Sequence, residues 1–181
     1  SGTGLAGGCV PDNSLVIDLS RLNKVTNLTP SKKTVHIEAG VTLKELNEKL
    51  SAFGFEFPID PANKGISTIG GMIATNSSGD RGMRYGTIKD WIEEIEYVNG
   101  RGELMKTSKA DITDICGMEG ITGIIVGATI KLSPLIKRSA SAYQTNNLDE
   151  LLSVARRLKS EKEVVILELF SPIVSRFLGL S

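Results

Sequence analysis

Apolar and polar positions change period several times along the chain, and each change suggests an element. Leu15, Val16 and Ile17, entered through Pro11, Asp12 and Asn13, predict a buried strand over Ser14–Asp18. Val35, Ile37 and Ala39 alternate with Thr34, His36 and Glu38, the period-2 pattern of a half-buried strand, which puts His36 on the solvated face rather than in a ligand set. Gly40 closes that strand. Leu43, Leu46 and Leu50 then recur at helical spacing behind Thr42, and Glu45 stands three residues after Thr42, so a capped amphipathic helix is expected up to Gly54. From Phe57 to Lys64, with Pro58 and Pro61, the chain reads as extended and irregular.

From Gly65 to Gly86 the pattern dissolves. Gly65, Gly70, Gly71, Gly79, Gly82 and Gly86 interleave with Ser67, Thr68, Thr75, Asn76, Ser77 and Ser78. An ordinary loop is one reading. The other is backbone lying close to a bulky ligand, with small hydroxyls as hydrogen-bond donors. Periodicity returns at Trp91–Val98, which with Glu103–Lys106 predicts two strands joined by the turn Asn99-Gly100-Arg101-Gly102. Glu93, Glu94 and Glu96 lie on the first of these strands and read as a solvated face rather than a catalytic carboxylate pair. An apolar run punctuated by Gly120, Gly123 and Gly127 gives a strand over Ile124–Leu132 that stops at Pro134.

Beyond Pro134 the style changes to a simple strand, helix and strand: Ala140–Gln144, Leu148–Lys159 and Val164–Leu169. Asn147 caps the helix, and Leu148, Leu151, Leu152, Ala155 and Leu158 form its buried stripe. This predicts a domain boundary, with 1–136 as one unit and 137–181 as the start of a second. The first residue is Ser1 and leads straight into a Gly-rich loop, which needs a rigid element on both sides to stay ordered. Further chain upstream is therefore expected, as is further chain beyond Ser181 to complete the second unit. An apolar flank exposed by the missing part, with poor solubility or self-association, follows from that expectation.

Composition narrows the partners. Lys and Arg balance Asp and Glu, the pI is near 6.6 and there is one histidine, so broad attraction to nucleic acid or an anionic membrane is not expected and a small molecule is. Cys9 and Cys116 have no metal or redox spacing and read as small buried side chains in a reducing cytosol. No signal peptide or membrane span is legible, and no metal site is expected.

Two phosphate motifs can be weighed directly. Gly2, Thr3, Gly4, Leu5, Ala6 and Gly7 satisfy GxGxxG, but Gly8 leads through Cys9, Val10 and Pro11 toward a strand. The helix on which a Rossmann site rests its pyrophosphate is therefore missing. A Walker A loop is absent as well. What is left is a glycine loop whose successive amides can cradle an anion.

Taken in order, Ser1–Gly8, Asp60-Pro61, Thr68-Ile69-Gly70-Gly71 with Asn76 and Gly79, Arg84-Tyr85-Gly86, and Glu119-Gly120 with Gly123-Ile124-Ile125 form a recognisable series. The chain resembles the FAD-linked oxidase family, which has a PCMH-type (vanillyl-alcohol-oxidase-type) FAD-binding domain. Within it, the nearest likeness is to the glycolate oxidase FAD subunit and the D-lactate or D-2-hydroxyacid dehydrogenases.

The resemblance implies an α+β fold, with an FAD-binding domain lacking its first subdomain, followed by the start of a ferredoxin-like cap. It implies noncovalent FAD, with Gly2, Thr3, Gly4, Leu5, Gly7 and Gly8 around the pyrophosphate. Pro61, Gly65, Ser67, Ile69, Gly70, Gly71, Asn76 and Gly79 would line the flavin, its ribityl chain and phosphates, and Tyr85 and Gly86 would close that loop. Glu119, Gly120, Gly123, Ile124 and Ile125 would meet the adenine end.

The sequence departs from the family pattern at Met72, at Ser77-Ser78-Gly79, and at Ile121-Thr122, where the apolar residue and threonine are exchanged; local contacts there are where the resemblance is weakest. It further implies oxidation of a 2-hydroxy acid to a 2-oxo acid, with substrate-binding and catalytic residues beyond Ser181. The electron acceptor is unknown. Iron–sulfur or other oxidase subunits are candidate partners, and the location is cytoplasmic or peripheral to a membrane through them. Two rival readings stand: a flavin oxidoreductase of the same fold acting on another alcohol or sugar, and a noncatalytic flavin-binding subunit.

Overall fold

The computed structural model describes residues 2–179. Its centre is a five-stranded antiparallel sheet in the order β1-β2-β6-β4-β5. The strands are β1 Val25–Thr29, β2 Thr34–Glu38, β4 Ile92–Val98, β5 Leu104–Lys106 and β6 Ile124–Lys131. Helix α1, Leu43–Ser51, and the pair β3, Phe55–Glu56, with β7, Ser133–Pro134, flank it. The short helices α2, Ile69–Ala74, and α3, Gly82–Tyr85, lie between β3 and β4.

β2 forms as its alternation predicts: Val35 and Ile37 are fully buried, while His36 stays half-buried on the other face. Alternation in β6 slips, with Ile125 buried on one phase and Ala128 and Ile130 on the other. The cause is an irregularity against β4, where Glu96 opposes Gly127 but Tyr97 opposes Ile125, so one extra residue switches the faces. Thr107 supports the other edge of β4: its hydroxyl accepts from the Ile95 amide at 2.9 Å.

Helix α1 is set by its cap and its stripe. The Glu45 amide donates to Thr42 Oγ1 at 3.2 Å and the Thr42 amide to Glu45 Oε2 at 3.0 Å, while Leu43, Leu46 and Leu50 are all buried. Each such leucine contributes roughly 1.5–3 kcal/mol. Asn47, on the same helix, accepts from the Phe57 amide at 2.7 Å and so fixes the chain leaving β3.

Three expectations fail. No strand forms over Ser14–Asp18; Leu15 is 88% and Val16 68% exposed, and the segment pairs with none of the five strands of the sheet. Gly65–Gly86 is not loop throughout, because Ile69, Met72 and Ile73 stand at helical spacing and bury themselves as α2, with Thr68 capping the Gly71 amide at 3.3 Å. Past Pro134, helix α4, Leu148–Ser160, forms under its Asn147 cap and a further short helix α5 spans Pro172–Phe177, but Ala140–Gln144 and Val164–Leu169 are not strands. No residue of α4 is buried: its apolar stripe finds no second layer among the described residues, and strands without a sheet partner have nothing to hold them.

Candidate functional site

Two loop clusters bring together some of the residues singled out from the sequence. The first brings the N-terminal glycine loop to the turn before β6. A Cβ on Gly8 would stand 3.7 Å from Glu119 Oε2. The Glu119 amide in turn donates to the Ala74 carbonyl at 2.8 Å, and the Gly117 amide to the Ile73 carbonyl at 3.0 Å, which fastens that turn to the C-terminal end of α2. Glu119 and Gly120 are successive left-handed residues, with φ of 52° and 85°. Asn76, also left-handed, sits beside Gly117 and accepts from the Lys89 amide at 3.3 Å.

The backbone here is open. Added Cβ atoms on Gly2, Gly4, Gly7, Gly65 and Gly120 would meet nothing within 4 Å. Among the described residues, no amide from Thr3 to Cys9 donates a hydrogen bond. Unspent amides on a glycine loop suit an anion held by backbone donors. Leu5 is fully exposed, Thr3 half-buried, and Cys9 is exposed too, contrary to the reading of it as a buried side chain.

The second cluster holds the Asp60-Pro61 segment against the turn preceding α3. Gly79 packs directly on Asp60: its Cβ would lie 2.2 Å from the Asp60 carbonyl oxygen and 2.8 Å from the Asp60 nitrogen. Arg81 spans the same contact, with Nη2 3.1 Å from Asp60 Oδ2 and Nη1 3.3 Å from Glu56 Oε2. Lys64 reaches Asp60 from the solvent side at 3.1 Å. Arg138 closes the other side of Glu56 with a two-pronged pair and approaches the Tyr85 hydroxyl at 3.4 Å. Glu56, foremost, and the Tyr85 hydroxyl raise the Arg138 guanidinium above its usual range.

Glu56 and Asp60 are buried carboxylates, and Arg81 and Arg138 are mostly covered. Sequence reasoning had reached Asp60 only as part of the Asp60-Pro61 motif and had missed Glu56, Arg81 and Arg138. Their pairing spans 25 and 82 residues, so spacing carries no sign of it.

Other singled-out residues serve packing. Ile69 and Ile125 are core side chains, and the Ile69 and Gly70 amides donate to Val41 and Ala39. Gly70 lies against Ala39, where a Cβ would come to 2.6 Å, and Gly123 against the Tyr97 ring, also at 2.6 Å. Gly86 needs its φ of 70° and would clash with Asp90. Ser67 is buried and donates to the Asn63 carbonyl, Gly71 is exposed, and Pro61 and Ile124 are half-buried. Tyr85 stacks edge-on against Trp91 at 5.9 Å, and the Trp91 Nε1 donates to the Tyr85 carbonyl at 2.8 Å.

Remaining chemistry is sparse. His36 faces Glu96 at 3.7 Å on the open side of the sheet, and Lys106 ties Glu94 and Glu96, which makes these carboxylates surface ion pairs. Cys116 is buried, and that burial pushes its thiol up to about 11. Among the described residues no cluster could hold a metal, and no helix is long and apolar enough to cross a membrane. A groove of about 410 Å³ between Lys32, Lys33, Arg84, Tyr85, Trp91 and Lys131 shares only Tyr85 with the clusters above, so this groove and the open glycine backbone do not coincide.

Comparison with known proteins bears on the family. The FAD binding domain family model matches residues 1–108. A D-2-hydroxyglutarate dehydrogenase of Xanthomonas citri pv. viticola is 32% identical over 93% of this chain and 38% of that protein. The glycolate oxidase subunit GlcD of Bacillus subtilis is 32% identical over 74% of the chain and 31% of its own length. A D-lactate dehydrogenase of Archaeoglobus fulgidus is 32% identical over 75% of the chain and 32% of its own length. The chain thus spans less than two-fifths of these curated relatives. Among solved structures, an alkyldihydroxyacetonephosphate synthase matches with a TM-score of 0.59 and 31% identity, over 64% of this chain and 22% of that one. On the family match and on relatives that share most of its length, the chain belongs to the FAD-binding domain family, and FAD is its cofactor.

Proposed function

We propose that this chain is the FAD-holding part of a dehydrogenase that oxidises a small 2-hydroxy acid, of the D-2-hydroxyglutarate, D-lactate or glycolate type. The single observation that carries this reading is the run of 2-hydroxy-acid relatives, with the Xanthomonas D-2-hydroxyglutarate dehydrogenase matching 93% of the chain. The bound flavin supplies the hydride acceptor. The chain's own residues bind and orient it. Thr3 to Gly8 offer unspent amides to the pyrophosphate, Gly65 and Gly120 leave room for close approach, and Gly79 with Asp60 forms the wall of the flavin segment.

Glycines with open space on their Cβ side support this use, since such positions accept a bulky neighbour that side chains would exclude. The binding is noncovalent. His36 faces Glu96 on the sheet rather than the glycine loop, and Cys9 turns its thiol to the Gly4 carbonyl at 3.7 Å. In this reading the groups that bind the substrate carboxylate and the base that takes the hydroxyl proton are supplied by residues outside this chain. The segment 137–181 begins the cap.

The test is an absorbance spectrum of the full-length protein before and after acid precipitation, followed by D-2-hydroxyglutarate, D-lactate and glycolate with an artificial electron acceptor. Flavin released into the supernatant and bleaching by one of the three acids is the expected outcome. Flavin that bleaches with none of them would refute the substrate class. The likeness to an alkyldihydroxyacetonephosphate synthase favours a second reading, in which the same flavin body serves different chemistry, and that outcome would point to it.

A further inference from the structure

Arg81 stands where two cofactor-lining segments meet, and nothing in the 2-hydroxy-acid reading assigns it a task. It reaches Asp60 with one Nη and Glu56 with the other, at 3.1 and 3.3 Å, and its own side chain is 18% exposed. Its Nε is buried without a partner, so the guanidinium is held through its Nη groups alone. Both partners are themselves anchored. Glu56 lies in the β3–β7 pair and is also gripped by Arg138, while Asp60 is backed by the Gly79 main chain and by the Asp80 amide at 3.4 Å.

This arrangement leaves the Asp60–Gly65 segment little freedom. Gly79 fixes its distance from the Ser78–Gly82 turn, but a glycine contact is non-directional and lets the two backbones slide. A planar guanidinium with two carboxylates in fixed positions prevents sliding, because its donors have set directions. Lys64, the other cation on Asp60, is 61% exposed and flexible, and cannot do the same.

We propose that Arg81 is a positioning residue for the flavin: by clamping Asp60 to Glu56 it locks the Asp60–Gly65 segment against the Ser78–Gly82 turn and sets how tightly FAD is held. The proposal rests on the reading that Pro61, Gly65 and Gly79 line the cofactor. It adds a residue that makes no contact with the cofactor itself but acts through those that do.

The experiment titrates FAD into full-length apoprotein, following flavin fluorescence and the visible spectrum, at a temperature where circular dichroism shows every variant folded. Arg81→Met weakens FAD binding about tenfold or more and alters the resolved shoulders of the bound flavin's absorbance. Arg81→Lys recovers part of the loss, since one ammonium can satisfy one carboxylate. Lys64→Met stays within about twofold of wild type.

Arg81→Met binding FAD within about twofold of wild type overturns the proposal, even if its unfolding midpoint has dropped, because the role is then stability alone. If Arg81→Met does not fold, Asp60→Asn tests the same contact with its shape kept: several-fold weaker FAD binding supports the clamp and unchanged binding overturns it. Wild-type protein that takes up no FAD overturns the cofactor reading itself, an outcome distinct from a variant that binds as well as wild type.

Discussion

Replacing Gly79 by alanine asks whether the Asp60 contact is as tight as it looks. The new Cβ would fall 2.2 Å from the Asp60 carbonyl oxygen and 2.3 Å from its carbonyl carbon, all backbone, so no side chain can swing away to make room. Relief requires the two segments to part by about 1 Å, since carbon and oxygen rest no closer than about 3.3 Å. Overpacking of that kind costs about 1–3 kcal/mol. Parting also strains the Asp80 amide to Asp60 carbonyl bond at 3.4 Å and the Arg81 pair, which adds about 1 kcal/mol.

A total near 2–4 kcal/mol lowers the urea midpoint, and the thermal midpoint by at most about 4 °C per kcal/mol. The assay is urea and thermal unfolding of the full-length apoprotein. Gly65→Ala is the control: its Cβ enters open space, so it should leave apoprotein stability within about 0.5 kcal/mol of wild type while weakening FAD binding. If Gly79→Ala also stays within about 0.5 kcal/mol of wild type, the steric argument is wrong and Gly79 is not a packing contact.

Three more outcomes can be checked. Thr42→Ala removes the acceptor of the Glu45 amide and costs about 1 kcal/mol. Because the Thr42 amide and hydroxyl hold the Glu45 carboxyl below its ordinary value, the cap's contribution is present above the unfolded-state pKa and fades as pH falls through the lower folded one. The Thr42→Ala penalty should therefore shrink in acid, and urea midpoints from pH 7 down to 3 read that directly. For the thiols of this chain, a disulfide reagent at pH 8 should modify exposed Cys9 rapidly in native protein and Cys116 only after denaturant is added; equal rates would place Cys116 outside the core. Burial favours the neutral Cys116 thiol, so its contribution is full below the unfolded-state pKa and is lost as pH rises toward about 11. Finally, Thr107→Val strips the buried Ile95 amide of its acceptor and should cost about 1–3 kcal/mol in chemical unfolding.

What the sequence by itself determined were the elements whose cause is local. The Thr42–Glu45 box and the Leu43, Leu46, Leu50 stripe make α1 wherever it packs, alternation makes β2, and Asn147 caps α4 without any core beneath it. The ordered glycine motifs were legible in the same way, and with them the FAD-binding family. Tertiary structure decided whatever depends on a distant neighbour. Leu15–Ile17 carry strand residues but pair with no strand of the sheet and stay exposed, because propensity alone does not hold a strand without a partner. Ile69 to Ile73 carry two glycines yet form a helix, because burial against Ala39 and β6 outweighs their poor propensity.

The same physics separates the glycines: in sequence Gly79 and Gly65 look alike, and only the approach of Asp60 makes one a packing contact and leaves the other open. The Glu56–Arg81–Asp60 clamp joins residues that are ordinary charges in sequence. Their meaning comes from being brought together out of water, where each carboxylate needs its guanidinium.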